Sequence, residues 1–173
     1  MDSYKTINNN AEGYYTDKRS KFYAFAHHVE SAEEVKTLLA GYRKKYYDAR
    51  HICWAYRLGP AGEDFRMNDD GEPSSTAGKP IYGQMLSHEL TDIVVFVVRY
   101  YGGVNLGTSG LIVAYREATI DALNNAEIEE RIVESLIEFS FPYSMINGVM
   151  KVVKELNPRV VDQTFDNTCT IKL

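Results

Sequence analysis

The stretch DIVVFVVRYYGGVNLGTSGLIVAYREATIDALNNA, Asp92–Ala126, constrains the fold more than any other part of the chain. Its first ten residues, Asp92–Tyr101, are almost continuously apolar and β-branched. A strand with one wet face alternates in polarity, whereas one that does not alternate is covered on both faces. The segment is therefore predicted to be a central strand. A glycine-rich turn follows, holding Gly102, Gly103, Gly107 and Gly110. A helix is then expected from about Ser109 to Ala126, with Leu111, Ile112, Ala114, Tyr115, Ala118, Ala122 and Leu123 as its inner face.

The remaining elements follow from shorter signals. Lys21–Val29 and Arg50–Leu58 are predicted strands. Between them Ser31 and Glu34 have the spacing of a capping box, and Val35, Leu38, Leu39 and Tyr42 recur at helical intervals. The turn residues Gly59–Gly62 predict a hairpin that returns through Glu63–Asn68. A polar loop, NDDGEPSSTAGKP (Asn68–Pro80), precedes a short helix to about Ser87, with Pro80 in its first turn. Glu127–Glu134 is a strand or a linker. Beyond it, Ser135–Pro142, Tyr143–Pro158 and two further segments to Leu173 predict a β-α-β-β tail. The expected division is 1–134 and 135–173, and a tail so small must dock, dimerise or belong to a larger unit.

With 173 residues and 45% hydrophobic content, the chain can bury a core without covalent staples. Its two cysteines form neither a metal spacing nor a disulfide framework, which suits a reducing compartment. No run approaches the ~20 apolar residues of a membrane span, and a cytoplasmic location is expected. A net charge of −5 argues against blanket binding of nucleic acid but leaves room for one basic face.

Two loops hold the candidate chemistry. Gly102, four residues, Gly107, Thr108 and Ser109 match the spacing of a P-loop, with Thr108 where the lysine should stand. A strand, a glycine turn and a helix start can aim backbone N–H groups at an anion. The same glycines can equally serve only to turn the chain, with Thr108 or Ser109 capping the helix. Without the lysine, nucleotide hydrolysis by the P-loop route is not expected. Asn105 offers hydrogen bonds but no charge, and Arg99 and Arg116 can border the loop and attract phosphate. The polar loop gathers Asp69, Asp70, Glu72, Ser74, Thr76 and Lys79. These suit a carboxylate-held Mg²⁺ or a serine beside a lysine, or simply a surface loop in which Ser75 or Thr76 caps the next helix and Asp70–Gly71 turns the chain. His51, on a predicted strand, is either a structural histidine or a base.

In this order DARHICWAYRLG, DDGEPSSTAGKPI and VVRYYGGVNLGTSGLIVAYREA resemble the IMPACT/YigZ family, over about Lys18–Ala126. The tail resembles part of the small ferredoxin-like domain that follows this module in YigZ-type members. Departures from the usual wording are Arg50 for threonine, Ser75 for glycine, Asn105 for lysine and Ser109 for glycine. The resemblance implies an α+β fold with helices on a mixed sheet. That fold is similar to domain IV of elongation factor G and the second domain of a small-subunit ribosomal protein. It also implies a non-enzymatic, translation-linked protein that binds a ribosome, RNA or a translation-factor partner. Eukaryotic members are translational regulators that restrain a starvation-responsive kinase. No catalytic residue, metal or cofactor is implied. The expected binding surface joins His51, Asp69, Asp70, Glu72, Ser74, Thr76, Lys79, Arg99, Gly102, Gly103, Asn105, Gly107, Thr108, Ser109 and Arg116. A phosphate or other anion is expected at Gly102–Gly110, and a homodimer through the tail is an open expectation. The competing expectation is a small-molecule phosphotransferase or hydrolase built on the same two loops.

Overall fold

A computed structural model describes residues 2–173. It divides into two compact units, Met1–Val133 and Glu134–Leu173.

The larger unit is built on a five-stranded sheet. Its strands are β2 (Ala11–Asp17), β3 (Ser20–His28), β4 (His51–Leu58), β5 (Asp64–Asn68) and β6 (Ile93–Tyr100), in the order β2-β3-β6-β4-β5. A separate ribbon pairs β1 (Ser3–Ile7) with β7 (Ile128–Ile132). The helices are α1 (Ala32–Lys45), α2 (Gly78–Ser87) and α3 (Gly107–Asn124). The expected α+β class holds, with the apolar run at the centre of the sheet as β6. The sheet itself is antiparallel at every ladder rather than mixed. The only parallel pairing among the described residues is the isolated bridge Lys5–Leu90. An unbroken apolar run reports burial on both faces, but it does not report the direction of the neighbouring strands.

Side-chain alternation sorts β6 between two cores. Ile93, Val95 and Val97 face one cluster, shared with α2 and α3. Val94, Phe96 and Val98 face the other, covered by Val35, Leu38, Leu39 and Tyr42 of α1. Each such side chain removed from water contributes roughly 1.5–3 kcal/mol. Helix α1 starts as its sequence predicts, with the Ser31 hydroxyl accepting from the Glu34 amide at 3.2 Å. The Glu34 carboxylate reaches past Ser31 to the amide of Glu30.

Helix α3 lies close on the sheet because Ala114, Ala118 and Ala122 are small and buried. It passes so near β2 that a Cβ on Gly13 would stand 2.2 Å from the Ala122 nitrogen. Ile112, expected on the inner face, is instead 37% exposed. The helix begins at Gly107, two residues earlier than expected, with Leu106 as N-cap and no side-chain cap from Thr108 or Ser109.

The smaller unit has β8 (Glu138–Pro142), a 3-10 turn (Tyr143–Met145), α4 (Ile146–Leu156), β9 (Asp162–Thr164) and β10 (Thr168–Lys172). Its three antiparallel strands lie in the order β8-β10-β9. Phe141, Cys169 and Ile171 form a small core under Ile146, Val149, Met150 and Val153. Leu136, Val152 and Leu156 are exposed. Among the described residues no helix is long and apolar enough to cross a membrane.

Candidate functional site

The alternation that gives the sheet its cores also builds a charged cluster at one end. Following Val95 and Val97, Arg99 projects on the α2/α3 face. Following Ala55 and Cys53, His51 projects on the same face, and it is the cross-strand partner of Arg99. Two residues from neighbouring strands are thus brought together beneath the polar loop.

The loop supplies their counter-charge through a tight turn. The Glu72 amide bonds the Asp69 carbonyl at 2.9 Å, with φ of +42° at Asp70 and +87° at Gly71. Positive φ at both central positions is the I′ geometry that Asp-Gly favours. The turn swings Glu72 inward. Its carboxylate accepts from Arg99 Nη1 at 2.7 Å on both oxygens, from the Tyr115 hydroxyl at 2.9 Å, and faces His51 Nε2 at 2.9 Å. The Glu72 and Arg99 side chains are only 3% and 6% exposed. Cys53 extends the network, its Sγ lying 3.3 Å from Tyr115 Oη and 3.0 Å from the Asp69 carbonyl, either of which can accept its one S–H. Burial pushes the Cys53 thiol well up. Burial, together with neighbouring Cys53 and Glu72, does the same to the Tyr115 phenol. Neither group is an activated nucleophile or base.

The other two carboxylates are also committed to the backbone. Asp69 accepts from the amides of Ser75 (2.9 Å), Ala77 (3.2 Å) and Gly78 (2.8 Å), so it caps α2 from across the loop. Ser75 and Thr76 do not cap this helix; the Thr76 hydroxyl donates to the Pro73 carbonyl at 2.5 Å. Asp70 accepts from the Ile52 amide at 2.8 Å, and its carbonyl meets His51 Nδ1 at 2.6 Å.

The expected binding residues therefore separate into groups. His51, Glu72, Arg99, Asn105, Gly107 and Thr108 line a cleft of about 370 Å³, together with Arg50, Tyr101 and the apolar Pro73, Leu106 and Leu111. Ser74, Thr76, Lys79 and Arg116 line a second cleft of about 550 Å³ between α2 and α3, and Thr108 lies on both. Asp69 and Asp70 line neither. Gly102 has a packing role. A Cβ there would stand 2.2 Å from the Arg19 carbonyl carbon, and its amide donates to Ser20 Oγ at 3.1 Å. Gly103 has φ of +88° and open space around it, and Ser109 is exposed outside both clefts. Two of the groups expected to face an anion at Gly102–Gly110 have partners within the protein. The Gly102 amide is already engaged, and the charge of Arg99 is met by Glu72. Arg116 lies beside Glu117, at 3.6 Å, on a half-exposed surface.

Sequence reasoning passed over Arg50, Tyr101 and Tyr115. The Arg50 guanidinium lies 5.0 Å from the Tyr101 ring centroid and Arg99 lies 5.6 Å from it. The signal for Tyr115 was present, because a tyrosine on the inner face of a helix requires a polar partner.

Comparison with known proteins places this cluster in context. The Impact N-terminal domain model matches residues 18–123, which include both clefts. An IMPACT family member of Haemophilus influenzae is 33% identical over 150 residues, 86% of this chain and 73% of that protein. The family member YvyE of Bacillus subtilis is 30% identical over 155 residues, 90% and 71% of the two chains. A solved structure, described as the crystal structure of a hypothetical protein, superposes with a TM-score of 0.83. It is 26% identical, and the match covers 99% of this chain and 84% of that one.

Proposed function

The chain belongs to the IMPACT family, and we propose that it is a non-enzymatic regulatory protein that acts in the cytoplasm by engaging RNA of the translation machinery. The observation that carries this reading is how the loop carboxylates are used. Asp69 caps α2, Asp70 holds the start of β4, and Glu72 binds Arg99, His51 and Tyr115. None is left to hold a divalent ion or to act as a general base at the surface, as the phosphotransferase or hydrolase reading requires. The exposed and half-exposed charged groups lining the two clefts are cationic: Arg50, Lys79 and Arg116. Hydroxyls of Ser74 and Thr108 lie among them. On a chain of net charge −5, a local basic and hydroxyl-bearing strip suits a phosphodiester backbone.

Co-sedimentation of the full chain with ribosomes of its source organism tests the proposal. Binding is expected at low salt and should weaken steeply as salt rises, since each phosphate contact to a single strand adds about 0.7 to the log–log slope. Lys79→Glu combined with Arg116→Glu should weaken binding and flatten that slope by about one to two contacts. Absence of the protein from the ribosomal pellet at low salt, or equal binding by the double variant, refutes the reading.

A further inference from the structure

We propose that the sheet face opposite the two clefts binds single-stranded RNA by stacking bases on a row of tyrosines. The proposal rests on the RNA reading only for the kind of nucleic acid, and it concerns a different surface. Strand register builds the row. Tyr14 of β2 stands opposite Tyr23 of β3, and Lys21, two residues before Tyr23, stands opposite Tyr100 of β6. Alternation puts all four on the face of Val94, Phe96 and Val98, away from α2 and α3. Contact between the rings holds them at set angles. The Tyr14 and Tyr23 centroids are 5.1 Å apart, and Tyr23 meets Tyr100 edge-on at 6.2 Å. Helix α1 covers the neighbouring part of this face, where its Tyr42, with Tyr46 just beyond it, stacks on Phe25. Tyr23, the next β3 residue on the face, and Tyr100 stay partly exposed, and Tyr14 on the edge strand is 43% exposed. Asp48 accepts from the Tyr100 hydroxyl at 2.9 Å, so the segment after α1 borders the row.

Charge complementarity names the occupant. Lys21 lies within the row, Lys18 and Arg19 form the turn between β2 and β3, and Lys44 and Lys45 close α1. All five are exposed, and none makes an ion pair among the described residues. The neighbouring acids offset them only in part. Asp48 is engaged by Tyr100, and Asp17 pairs with Ser20, which puts it on the opposite face from Lys21. Glu12 is the acid that shares the row's face. On a chain of net charge −5, unpaired cations gathered around exposed rings suit a polyanion that carries its own flat rings. In a duplex the base faces are stacked on one another, so it is a single strand whose bases can lie on tyrosines. The phosphates then follow the lysines, and the bases follow the row.

The experiment is fluorescence anisotropy of a labelled single-stranded oligouridylate titrated with the full chain. Saturable, salt-dependent binding is expected, and a labelled RNA duplex should bind more weakly. Tyr14→Ala should weaken binding about tenfold, the loss of one stacked base, and leave the salt slope unchanged. Tyr14→Phe keeps the ring and should bind as the parent does. Lys21→Gln should instead lower the slope by about 0.7, the loss of one phosphate contact. Trp54 fluorescence in urea confirms that each variant is folded. Absence of saturation overturns the proposal, as does equal binding by Tyr14→Ala or a duplex bound as tightly as the single strand. Labelled polyglutamate bound as tightly as the oligonucleotide would mark an acidic protein as the partner and also overturn it. Failure of this proposal is separable from failure of the ribosome reading. Oligonucleotide binding through Tyr14, with no protein in the ribosomal pellet, leaves the tyrosine face standing and refutes ribosome binding. Ribosome binding that Tyr14→Ala does not alter, with no oligonucleotide binding, does the reverse.

Discussion

Replacing Glu72 by alanine should destabilise the larger unit more than any other single change in the polar loop. The side chain is 3% exposed, and among the described residues it is the only carboxylate paired with Arg99, itself 6% exposed on its side chain. Removing it leaves a guanidinium buried without a counter-ion, and removing one member of a buried pair costs about 3–5 kcal/mol. The Tyr115 hydroxyl loses its acceptor and His51 Nε2 loses its neighbour as well, which places the expectation at the upper end of that range. At about 2–4 °C per kcal/mol for a chain of this size, Tm should fall by roughly 6–20 °C. Urea denaturation followed by fluorescence is the assay. The single tryptophan, Trp54, is buried in the larger unit, so the signal reports on that unit. Arg99→Met should also be destabilising, because it leaves Glu72 as the unpaired charge. The double variant, with both charges gone, should cost less than the two single losses added together. A loss below about 1 kcal/mol for Glu72→Ala, the level of an exposed pair, would refute the reasoning, as would strictly additive single and double variants.

Two further outcomes follow from the same network and its surroundings. Asp69→Ala should cost about 1–2 kcal/mol, since it removes the carboxylate that accepts from the amides of Ser75, Ala77 and Gly78; hydrogen exchange should accelerate at Ala77 and Gly78, and unchanged protection there would contradict the capping role. His27 titrates below its ordinary value because burial disfavours the charged ring. The unfolded chain therefore takes the proton first, and stability should decline as pH falls below the unfolded value of about 6.5, levelling off below the folded one. His27→Gln should remove that part of the slope between pH 7.5 and 5, and an unchanged slope would assign the effect to other groups.

How far the sequence carried the reading depends on which signals are local. The β6 run, the Ser31 cap, the β4–β5 hairpin and the helix after the glycine turn are each set by neighbours within a few residues, and each was legible. Strands β1 and β2 were not. SYKTI and AEGYYTD are short and polar-rich, and they are held by distant partners: β1 pairs with β7, and β2 pairs with β3 beneath α3. The buried cluster was half legible. Alternation alone puts His51 on the face of Cys53, and Arg99 on the face of Val97. That these are the same face, with His51 opposite Arg99, depends on strand register, which the sequence does not state. Asp69, Asp70 and Glu72 look alike as a run of acids. The Asp-Gly turn gives them three separate directions, toward a helix end, a strand amide and a buried arginine. The acidic loop therefore directs its carboxylates to holding the fold, and the exposed charges that remain along the two clefts are those of Arg50, Lys79 and Arg116.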